Sequence, residues 1–329
     1  MTVPLVSVLM PARNAARWIE SAVTSVLTQT HRHLEVVVVD DGSTDCTTEV
    51  VESIRDARVR IVRARRPIGV GPASNLGLVH CQGELIARLD ADDYMLVDRL
   101  AQQVAYLRTH PHIGLVGARA FIAHADGSTG KISPLYNGRL LHWMMQTSGA
   151  ILHPTMMARR DALPPAGYPD NTRFANDWEM MLDVERRTGL AIMNQVLIVY
   201  RRHADAIGCA HLAAQDEAAA SIFARQVLAP RGVVVRPSTA MTWVRTRRAA
   251  ELEDVVEVRA LAHALSPDTT TLGPHVPPWG RRERARAWRE HANHLRQIIA
   301  RSGRRDVRLA LAPLALAAAV KAAIVTALA

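Results

Sequence analysis

The sequence has few cysteines and no segment that resembles a signal peptide. Its three cysteines, Cys46, Cys81 and Cys209, lie far apart and match no zinc-binding or redox spacing. Their odd number argues against a disulfide framework and fits a reducing compartment. At the N-terminus, the apolar run 5–10 follows no basic region and precedes no small-residue cleavage site. The expected location is therefore the cytoplasm.

Aromatic residues are also scarce, at 4% of the 329 residues, whereas positive charge is abundant. The formal net charge of +9 favours anionic partners such as nucleic acid, an acidic membrane surface or a phosphorylated substrate. A protein that binds nucleic acid would be expected to carry a recognised motif, or aromatic residues interleaved with basic ones. Neither is present, so nucleic acid is not an expected partner.

The first half of the sequence alternates short apolar runs with helical patterns. The near-continuous apolar runs 5–10 and 34–39 are typical of strands that are buried on both faces of a parallel sheet. Between these runs, apolar residues recur with the period of one helix face over residues 19–27. Further strands are predicted at 59–62, 85–89 and 113–116, and helices at 45–54, 72–79 and 97–109. This alternation predicts an α/β fold, a mostly parallel sheet flanked by helices.

The second half becomes increasingly helical. A helix at 178–187 and a strand at 191–200 are predicted, and beyond residue 205 almost every pattern is helical. Breaks occur at Pro230-Arg231-Gly232 and in the Pro/Gly/Thr-rich stretch 266–280. The predicted organisation is an α/β domain at 1–205, a mainly helical region at 206–308 and an apolar tail helix at 309–329.

Polar residues follow four successive strands of the predicted sheet. These segments are 11–14, 40–43, 63–66 and 90–93. In an open α/β sheet, ligands bind outside the carboxyl ends of the strands, so the four segments are expected to line one crevice. The acidic segment contains Asp90, Asp92 and Asp93, and hard cations such as Mg²⁺ or Mn²⁺ prefer such oxygen ligands. The alternative is a solvated acidic turn that caps the next helix.

Other polar motifs have both a structural and a functional interpretation. The segment 40–45 fits a turn and helix cap, or a carboxylate that bonds a base or ribose. The segment 67–75 contains the G-x-G pattern 69–71, but it lacks the third glycine of a dinucleotide-binding loop and follows the third strand rather than the first. The pattern favours a glycine loop that lets a nucleotide approach the backbone. Asn176 and Asp177 fit a helix N-cap, and a lone histidine such as His203 is usually structural.

Together these segments resemble the family 2 glycosyltransferases, which have the GT-A fold. The resemblance covers about residues 3–205. It lies in SVLMPARN (7–14), SVLTQT (25–30), EVVVVDDGSTD (35–45), ASNLG (73–77), GELIARLDADD (83–93), Asn176-Asp177 and Arg202-His203. The Gln-x-x-Arg-Trp motif of processive synthases is absent, which favours an enzyme that adds a single sugar.

The resemblance implies a role for each matching residue. Pro11 and Asp41 would line the base pocket, and Arg13 and Asn75 would also bind the nucleotide sugar. The acidic cluster would bind the ribose and a metal–diphosphate, through Asp90 and Asp92 for the donor and Asp92 and Asp93 for the Mn²⁺ or Mg²⁺ ion. His203 would assist at the metal, and Asp177 would be the base that activates the acceptor hydroxyl. The family often has Glu before that base, where this chain has Asn176.

The expected function is inverting transfer of a sugar from a nucleotide-diphosphate sugar to a hydroxyl of a saccharide or lipid-linked acceptor. Such an activity would serve cell-wall, cell-surface polysaccharide or glycoconjugate synthesis. One alternative is a catalytically silent protein that binds nucleotide sugars. The other is a basic protein that binds nucleic acid, which the missing motifs disfavour.

The C-terminal region combines a cluster of arginines with the apolar tail. Ten arginines lie between residues 281 and 308, and the tail is long enough to span a bilayer. However, alanine contributes little insertion energy and Lys321 costs some. The sequence favours attraction to anionic lipid, and hence a peripheral location at the cytoplasmic face of the membrane. A helix docked on the protein itself is the alternative.

Overall fold

The structure, a computed structural model, describes residues 3–124, 128–170, 174–203, 206, 211–245, 255–268, 279–302 and 305–327. The chain divides into two compact units. The first contains Met1–Leu135 and Ile151–Ala210, and the second contains Tyr136–Ala150 and His211–Ala329. The predicted first domain, 1–205, differs from this division because it includes residues 136–150, which the structure groups with the C-terminal helices.

The first unit is built on a sheet in which β1, β2, β3 and β4 are parallel. The described strands are β1 (Val6–Ala12), β2 (Leu34–Asp40), β3 (Val59–Arg63), β4 (Leu85–Arg88), β5 (Tyr94–Met95), β6 (Ile113–His124), β7 (Lys131–Ile132), β8 (Met157–Arg159) and β9 (Gly189–Arg202). The strand order is β3-β2-β1-β4-β8-β6-β9-β5, and β7 pairs with β6. Strands β6 and β9 are also parallel, while β5, β7 and β8 form short antiparallel pairings.

Helices cover the sheet of the first unit. They are α1 (Ile19–Leu27), α2 (Thr47–Ser53), α3 (Val70–His80), α4 (Arg99–Thr109) and α6 (Asn176–Arg187). Helix α5 (Gly138–Ser148) belongs to the second unit. Every residue of β1 is buried, as expected for a central strand covered on both faces. The main core cluster joins the apolar side chains of β1, β2 and β4 to one face of α1. The predicted α/β architecture, a sheet flanked by helices, is confirmed.

Strand β6 is much longer than its sequence pattern predicted. The prediction ended at residue 116, but β6 continues to His124 alongside β9. Its second part is only partly buried and contains polar residues such as Arg119, so it lacks a continuous apolar run. Backbone pairing with β9 extends the strand where the side-chain pattern gives no signal.

The second unit is helical in its described part. After α5 it contains α7 (Leu212–Ile222), a π-helical segment (Phe223–Leu228), α8 (Pro237–Arg245), α9 (Val255–Ala264), α10 (Arg281–Ser302) and α11 (Arg305–Ala327). Leu140 and Trp143 of α5 pack against Ala287 of α10, and Trp143 Nε1 donates to Leu265 O at 3.0 Å. These apolar contacts explain why residues 136–150 belong to the second unit.

The predicted tail helix, 309–329, is the greater part of α11. This helix is long and apolar enough to cross a membrane by length and composition, and 22% of its most apolar stretch is buried within the protein. One face is buried, through Val307, Leu311 and residues further along the helix. The sequence therefore predicted the helix, and its alternative prediction of docking on the protein itself describes the buried face.

Candidate active site

The loops that follow β1 and β2 are tied to each other at the carboxyl edge of the sheet. Asn14 Oδ1 accepts a hydrogen bond from the Thr44 backbone N–H at 2.8 Å, and the Asn14 backbone N–H donates to Ser43 Oγ at 3.0 Å. The Ala16 backbone N–H donates to Asp45 Oδ2 at 3.1 Å. Neighbouring parallel strands bring these loops together, so 11–14 and 40–45 form one rigid rim of the crevice.

Asp41 fixes the glycine-containing loop that leads into α3. Its two carboxylate oxygens accept hydrogen bonds from the backbone N–H groups of Ile68 at 2.6 Å and Gly69 at 2.9 Å. Gly69 has φ +95°, a conformation that favours glycine. Asp41 is 5% exposed, and each carboxylate oxygen retains a second lone pair. Its predicted contact with a base remains compatible with this position and stays a prediction.

The acidic cluster lies immediately after β4, beside the central strand. One carboxylate oxygen from each of Asp90, Asp92 and Asp93 lies within 4.8 Å of the others. The side chains of Asp90 and Asp92 keep 32% and 28% of their surface exposed, whereas Asp93 is fully buried. The carboxylates of Asp90 and Asp92 are therefore partly exposed to solvent, whereas that of Asp93 lies on the protein side of the cluster.

Protonation of the cluster is strongly perturbed. Partial removal from water raises the pKa of Asp90, and burial raises the pKa of Asp93. Arg88 opposes the first shift, and repulsion from nearby carboxylates adds to both. The protein thus holds these carboxylates closer together than their charges favour, and a bound cation would offset that repulsion.

Two buried arginines lie beneath the cluster. Arg88 Nη2 forms an ion pair with Asp90 Oδ1 at 2.7 Å. Arg99, also fully buried, donates from Nη2 to the backbone oxygens of Arg88 at 2.9 Å and Met156 at 3.0 Å. Burial lowers the pKa of Arg99 to about 9, and the charge of Asp93 opposes that shift. These guanidiniums partly neutralise the carboxylates and fix the backbone that carries them.

His203 and Arg201 join the end of β9 to the acidic cluster. His203 Nε2 lies 2.9 Å from Asp92 Oδ2, and the Arg201 backbone N–H donates to Asp93 Oδ1 at 2.9 Å. The Trp18 ring lies 5.7 Å from the ring of His203, and the guanidinium of Arg201 lies over Trp18 at 5.1 Å. Trp18 therefore packs between two residues that touch the cluster.

Asp177 lies in the first turn of α6, close to Asp90. The charge of Asp177 contributes to the raised pKa of Asp90, which places the two carboxylates within electrostatic range of each other. The N-cap residue of α6 is Ala175, which has the left-handed backbone conformation. The methyl group of Ala175 cannot form a capping hydrogen bond. The alternative interpretation of Asp177 as an N-cap therefore does not describe this helix.

Gly71 and Asn176 bring α3 and α6 together. A Cβ added to Gly71 would lie 2.9 Å from the Asn176 side chain, whose Nδ2 donates to Pro169 O at 2.6 Å. The absence of a side chain at Gly71 thus accommodates Asn176. The close approach of a nucleotide to the backbone at this loop stays a prediction.

Asn75 has a clear structural partner. Its Nδ2 donates to Tyr168 O, and its Oδ1 accepts from the Tyr168 backbone N–H, both at 2.7 Å. The amide therefore holds the loop around Tyr168 against α3. Its predicted contact with the nucleotide sugar stays a prediction, in which it would need a further lone pair of Oδ1 or its second N–H.

The structure brings most of the predicted site residues to one edge of the first unit. Pro11 is buried at the end of β1, and Arg13 is exposed on the loop that follows it. The sequence interpretation missed Arg88, Arg99, Arg201 and Trp18. Arg88 and Arg99 had a usable signal, because a charged residue within or just after an apolar run is costly to bury without a partner. Trp18 had none.

The donor set of the acidic cluster fits a hard divalent cation. Carboxylate oxygens are the ligands that Mg²⁺ and Mn²⁺ prefer. Asp93 Oδ2 is buried and accepts no hydrogen bond from the part of the chain that the structure describes. His203 Nε2 lies beside Asp92 and supplies a nitrogen donor at the same place. The cluster in the described residues therefore offers carboxylate oxygens, a histidine nitrogen and the unbonded oxygen Asp93 Oδ2 to a cation.

Comparisons with known proteins agree with this geometry. The model of "Glycosyl transferase family 2" matches residues 7–164. A glycosyltransferase of Haemophilus influenzae is 30% identical over 67% of this chain and 72% of its own length. The UDP-Glc:α-D-GlcNAc-diphosphoundecaprenol β-1,3-glucosyltransferase of Escherichia coli is 33% identical over 32% of this chain and 42% of its own.

A solved structure shows the same fold over nearly the whole chain. The mannosyltransferase of Pyrobaculum calidifontis in complex with GDP-Man and Mn²⁺ superposes with a TM-score of 0.55 at 20% identity. The match covers 98% of this chain and 88% of that one. This likeness supports the fold, while the sequence relatives establish the family. The chain therefore belongs to glycosyl transferase family 2 and is a glycosyltransferase with the GT-A fold.

Proposed function

We propose that this enzyme transfers a sugar, with inversion, from a nucleotide-diphosphate sugar to a hydroxyl of a saccharide or lipid-linked acceptor. The observation that carries the proposal is the cluster of Asp90, Asp92 and Asp93 at the end of β4, with Asp177 within electrostatic range of Asp90. One carboxylate is thereby available to take a proton, and a separate group is available to receive the diphosphate. The related enzyme that acts on a diphosphoundecaprenol-linked sugar supports the lipid-linked choice and a role in cell-surface polysaccharide or cell-wall synthesis.

The proposed donor site extends from the rim of the crevice to the acidic cluster. Pro11 and Asp41 border the base, and Arg13 offers a guanidinium to phosphate oxygens. Asp90 and Asp92 accept hydrogen bonds from the ribose of the nucleotide sugar. Asp92, Asp93 and His203 would hold Mn²⁺ or Mg²⁺, which would neutralise charge on the leaving diphosphate.

The proposed reaction is a single displacement at the anomeric carbon of the donor sugar. Asp177 takes the proton of the acceptor hydroxyl as that oxygen forms a bond to the anomeric carbon. The bond from the anomeric carbon to the β-phosphate oxygen breaks on the opposite face, and the nucleoside diphosphate leaves with the electron pair. Arg88 holds Asp90 in place during this step, because the buried Arg88 guanidinium forms an ion pair with the partly exposed Asp90 carboxylate.

Nucleotide binding with and without metal tests the donor site. Calorimetry with UDP and GDP should show binding in Mn²⁺ that weakens at least tenfold in EDTA, because the diphosphate completes the coordination of the ion. Asp93→Asn should lose the metal effect, whereas Asp161→Asn, the same change at an exposed position, should keep it. Equal affinity with EDTA and Mn²⁺ would refute the metal site.

A further inference from the structure

Helix α11 has a second apolar face that no described part of the unit covers. Its buried face consists of residues spaced by three or four positions, all at most 5% exposed: Val307, Leu311, Ala315, Ala318 and Ala322. A different set is largely exposed: Leu309 at 68%, Leu316 at 65%, Val320 at 48% and Ile324 at 53%. We call this second set the outer stripe. Its spacing places it along one line of the helix surface.

An open groove between α10 and α11 adjoins the outer stripe. It encloses about 490 Å³ and is lined by aliphatic side chains that include Ile299, Ala312 and Leu316. Arg296 from α10 and Arg308 from α11 also line it. Leu316 belongs both to the groove and to the outer stripe. Cationic and apolar surfaces therefore meet at one place.

The two groove arginines differ from other basic residues of these helices. Arg284 and Lys321 both form ion pairs with Asp268, at 2.6 and 3.1 Å. Neither Arg296 nor Arg308 forms an ion pair with any carboxylate in the described residues. Within the described ranges, the one hydrogen bond that the Arg296 guanidinium makes is a long one, 3.5 Å from Nη1 to Asn293 Oδ1. Their charges are thus available to an anion.

A spanning orientation conflicts with the contacts of α11. Its buried face packs within the second unit, and a helix that crossed the bilayer would give up that packing. Lys321 also lies over the Trp288 ring at 4.4 Å and pairs with Asp268, so insertion would break both contacts. An orientation in the plane of the interface keeps all of them and immerses only the outer stripe.

We propose that α11 docks flat on an anionic lipid bilayer, with the phosphate of a lipid headgroup between Arg296 and Arg308. The outer stripe enters the acyl region, and Leu316 continues the apolar surface from the groove. A lipid fits better than free phosphate because aliphatic side chains make up most of the groove wall. The proposal specifies how the membrane partner suggested by the sequence is bound.

Vesicle sedimentation of the full-length protein tests the proposal. The protein should bind vesicles of phosphatidylcholine with 30% phosphatidylglycerol and bind pure phosphatidylcholine only weakly. Because each basic residue near an anionic surface contributes about a fivefold factor, the double variant Arg296→Gln/Arg308→Gln should bind roughly thirtyfold more weakly. The control Arg32→Gln/Arg108→Gln removes the same charge from the first unit. If both double variants lost vesicle binding equally, the net charge alone would explain the loss, and the proposal would be overturned.

Two further arms separate the alternatives for the helix and the ligand. Leu316→Gln should weaken vesicle binding roughly tenfold, whereas Val79→Gln, an equally polar change at an exposed residue of the first unit, should not. Protein that stays with the vesicles after a carbonate wash at pH 11 would indicate a spanning helix and overturn the proposal. Stabilisation by 10 mM inorganic phosphate without vesicles, abolished in the arginine double variant, would make free phosphate the ligand and overturn the lipid assignment.

These measurements do not depend on glycosyl transfer. Vesicle binding is measured in EDTA and without a nucleotide sugar, so it can succeed even if the proposed reaction is wrong. Conversely, the variant Arg296→Gln/Arg308→Gln should transfer sugar to a soluble acceptor at the normal rate even though it binds vesicles weakly. That result would separate membrane docking from the reaction.

Discussion

At the scale of single residues, Asp177 has the most specific proposed role. Replacement by Asn preserves the size of the side chain, and the N-cap of α6 is Ala175 rather than Asp177. If Asp177 is the base, Asp177→Asn should bind Mn²⁺ and nucleoside diphosphate normally while turnover falls by roughly 10²–10⁴-fold. The measurement is release of nucleoside diphosphate in the presence of acceptor.

A matched control uses the same helix. Asp183→Asn makes the identical change two turns later, where the carboxylate pairs with Arg186 at 2.5 Å on the surface. It should keep near-normal turnover. If Asp177→Asn folds and also turns over at the normal rate, Asp177 is not the base.

Trp18 is expected to act through His203 and Arg201 rather than by touching the ion. Trp18→Ala should weaken Mn²⁺ affinity by roughly tenfold, because residues that orient metal ligands commonly affect affinity to that extent. Trp18→Phe keeps an aromatic face and should retain most of the affinity. Electron paramagnetic resonance of free Mn²⁺ measures both. Loss of thermal stability in Trp18→Ala with unchanged Mn²⁺ affinity would indicate a purely structural role.

Single residues were predictable where the chemistry was concentrated in one segment. Asp90, Asp92 and Asp93 follow a strand directly, so their shared position needs only the sheet rule that strand ends line the crevice. Trp18 and Arg201 are about 180 positions apart in sequence, and only the folded chain shows that they meet. The backbone partners of Asn75 could not be inferred for the same reason.

At the scale of elements, the junction of α3 and α6 depends on a missing side chain. Gly71→Ala would place a methyl group 2.9 Å from the Asn176 side chain, and overpacking of this kind should destabilise the protein by about 1–3 kcal/mol. Denaturant unfolding followed by circular dichroism measures this loss. In an Asn176→Ala background the same substitution should cost at least about 1 kcal/mol less, since the clash is removed. Equal costs in both backgrounds would show that the two helices do not constrain each other here.

Elements with strong periodicity were predicted well, and elements made by long-range pairing were not. The helix predicted from residues 19–27 is α1, and the apolar runs 5–10 and 34–39 lie within β1 and β2 apart from Leu5. In contrast, the outer half of β6 exists because β9 pairs with it. The π-helical segment Phe223–Leu228 likewise has no signature in the pattern of apolar residues.

At the scale of the whole molecule, two buried histidines make the second unit sensitive to acid. Burial lowers the pKa of His291 to about 4 and that of His294 to about 3. His291 Nδ1 and His294 Nε2 are buried without hydrogen-bond partners in the described residues. Unfolded histidines titrate near 6.5, so between about pH 6.5 and 4 the unfolded state binds more protons than the native state. The contribution of these two histidines to the free energy of unfolding should therefore fall as the pH decreases through this window, while the raised pKa values of Asp90 and Asp93 make a contribution of the opposite sign.

The slope should reach up to about 1.4 kcal/mol per pH unit for each histidine. Urea unfolding followed by tryptophan fluorescence measures it, because Trp143, Trp243 and Trp288 all contact these histidine rings. His294→Gln should lower the slope by up to about 1.4 kcal/mol per pH unit, whereas His112→Gln, on the surface of the first unit, should leave it unchanged. A slope that neither variant alters would exclude these histidines as its source.

The division into two units was only partly visible in the sequence. A change of composition near residue 205 is close to the end of the first unit at Ala210. The segment Tyr136–Ala150 could not be assigned, since its helix pattern is compatible with either unit and its partners are more than a hundred residues away.

This interruption has a consequence for synthesis on the ribosome. Helix α5 emerges before the last strands of the first unit, but Ala287 of α10, against which Leu140 and Trp143 pack, is translated about 145 residues later. At 5–20 residues per second, the apolar face of α5 waits roughly 7 to 29 seconds for its partner. A nascent chain paused near residue 210 would thus carry a complete sheet and an uncovered tryptophan. Such a chain is a natural client for a ribosome-associated chaperone.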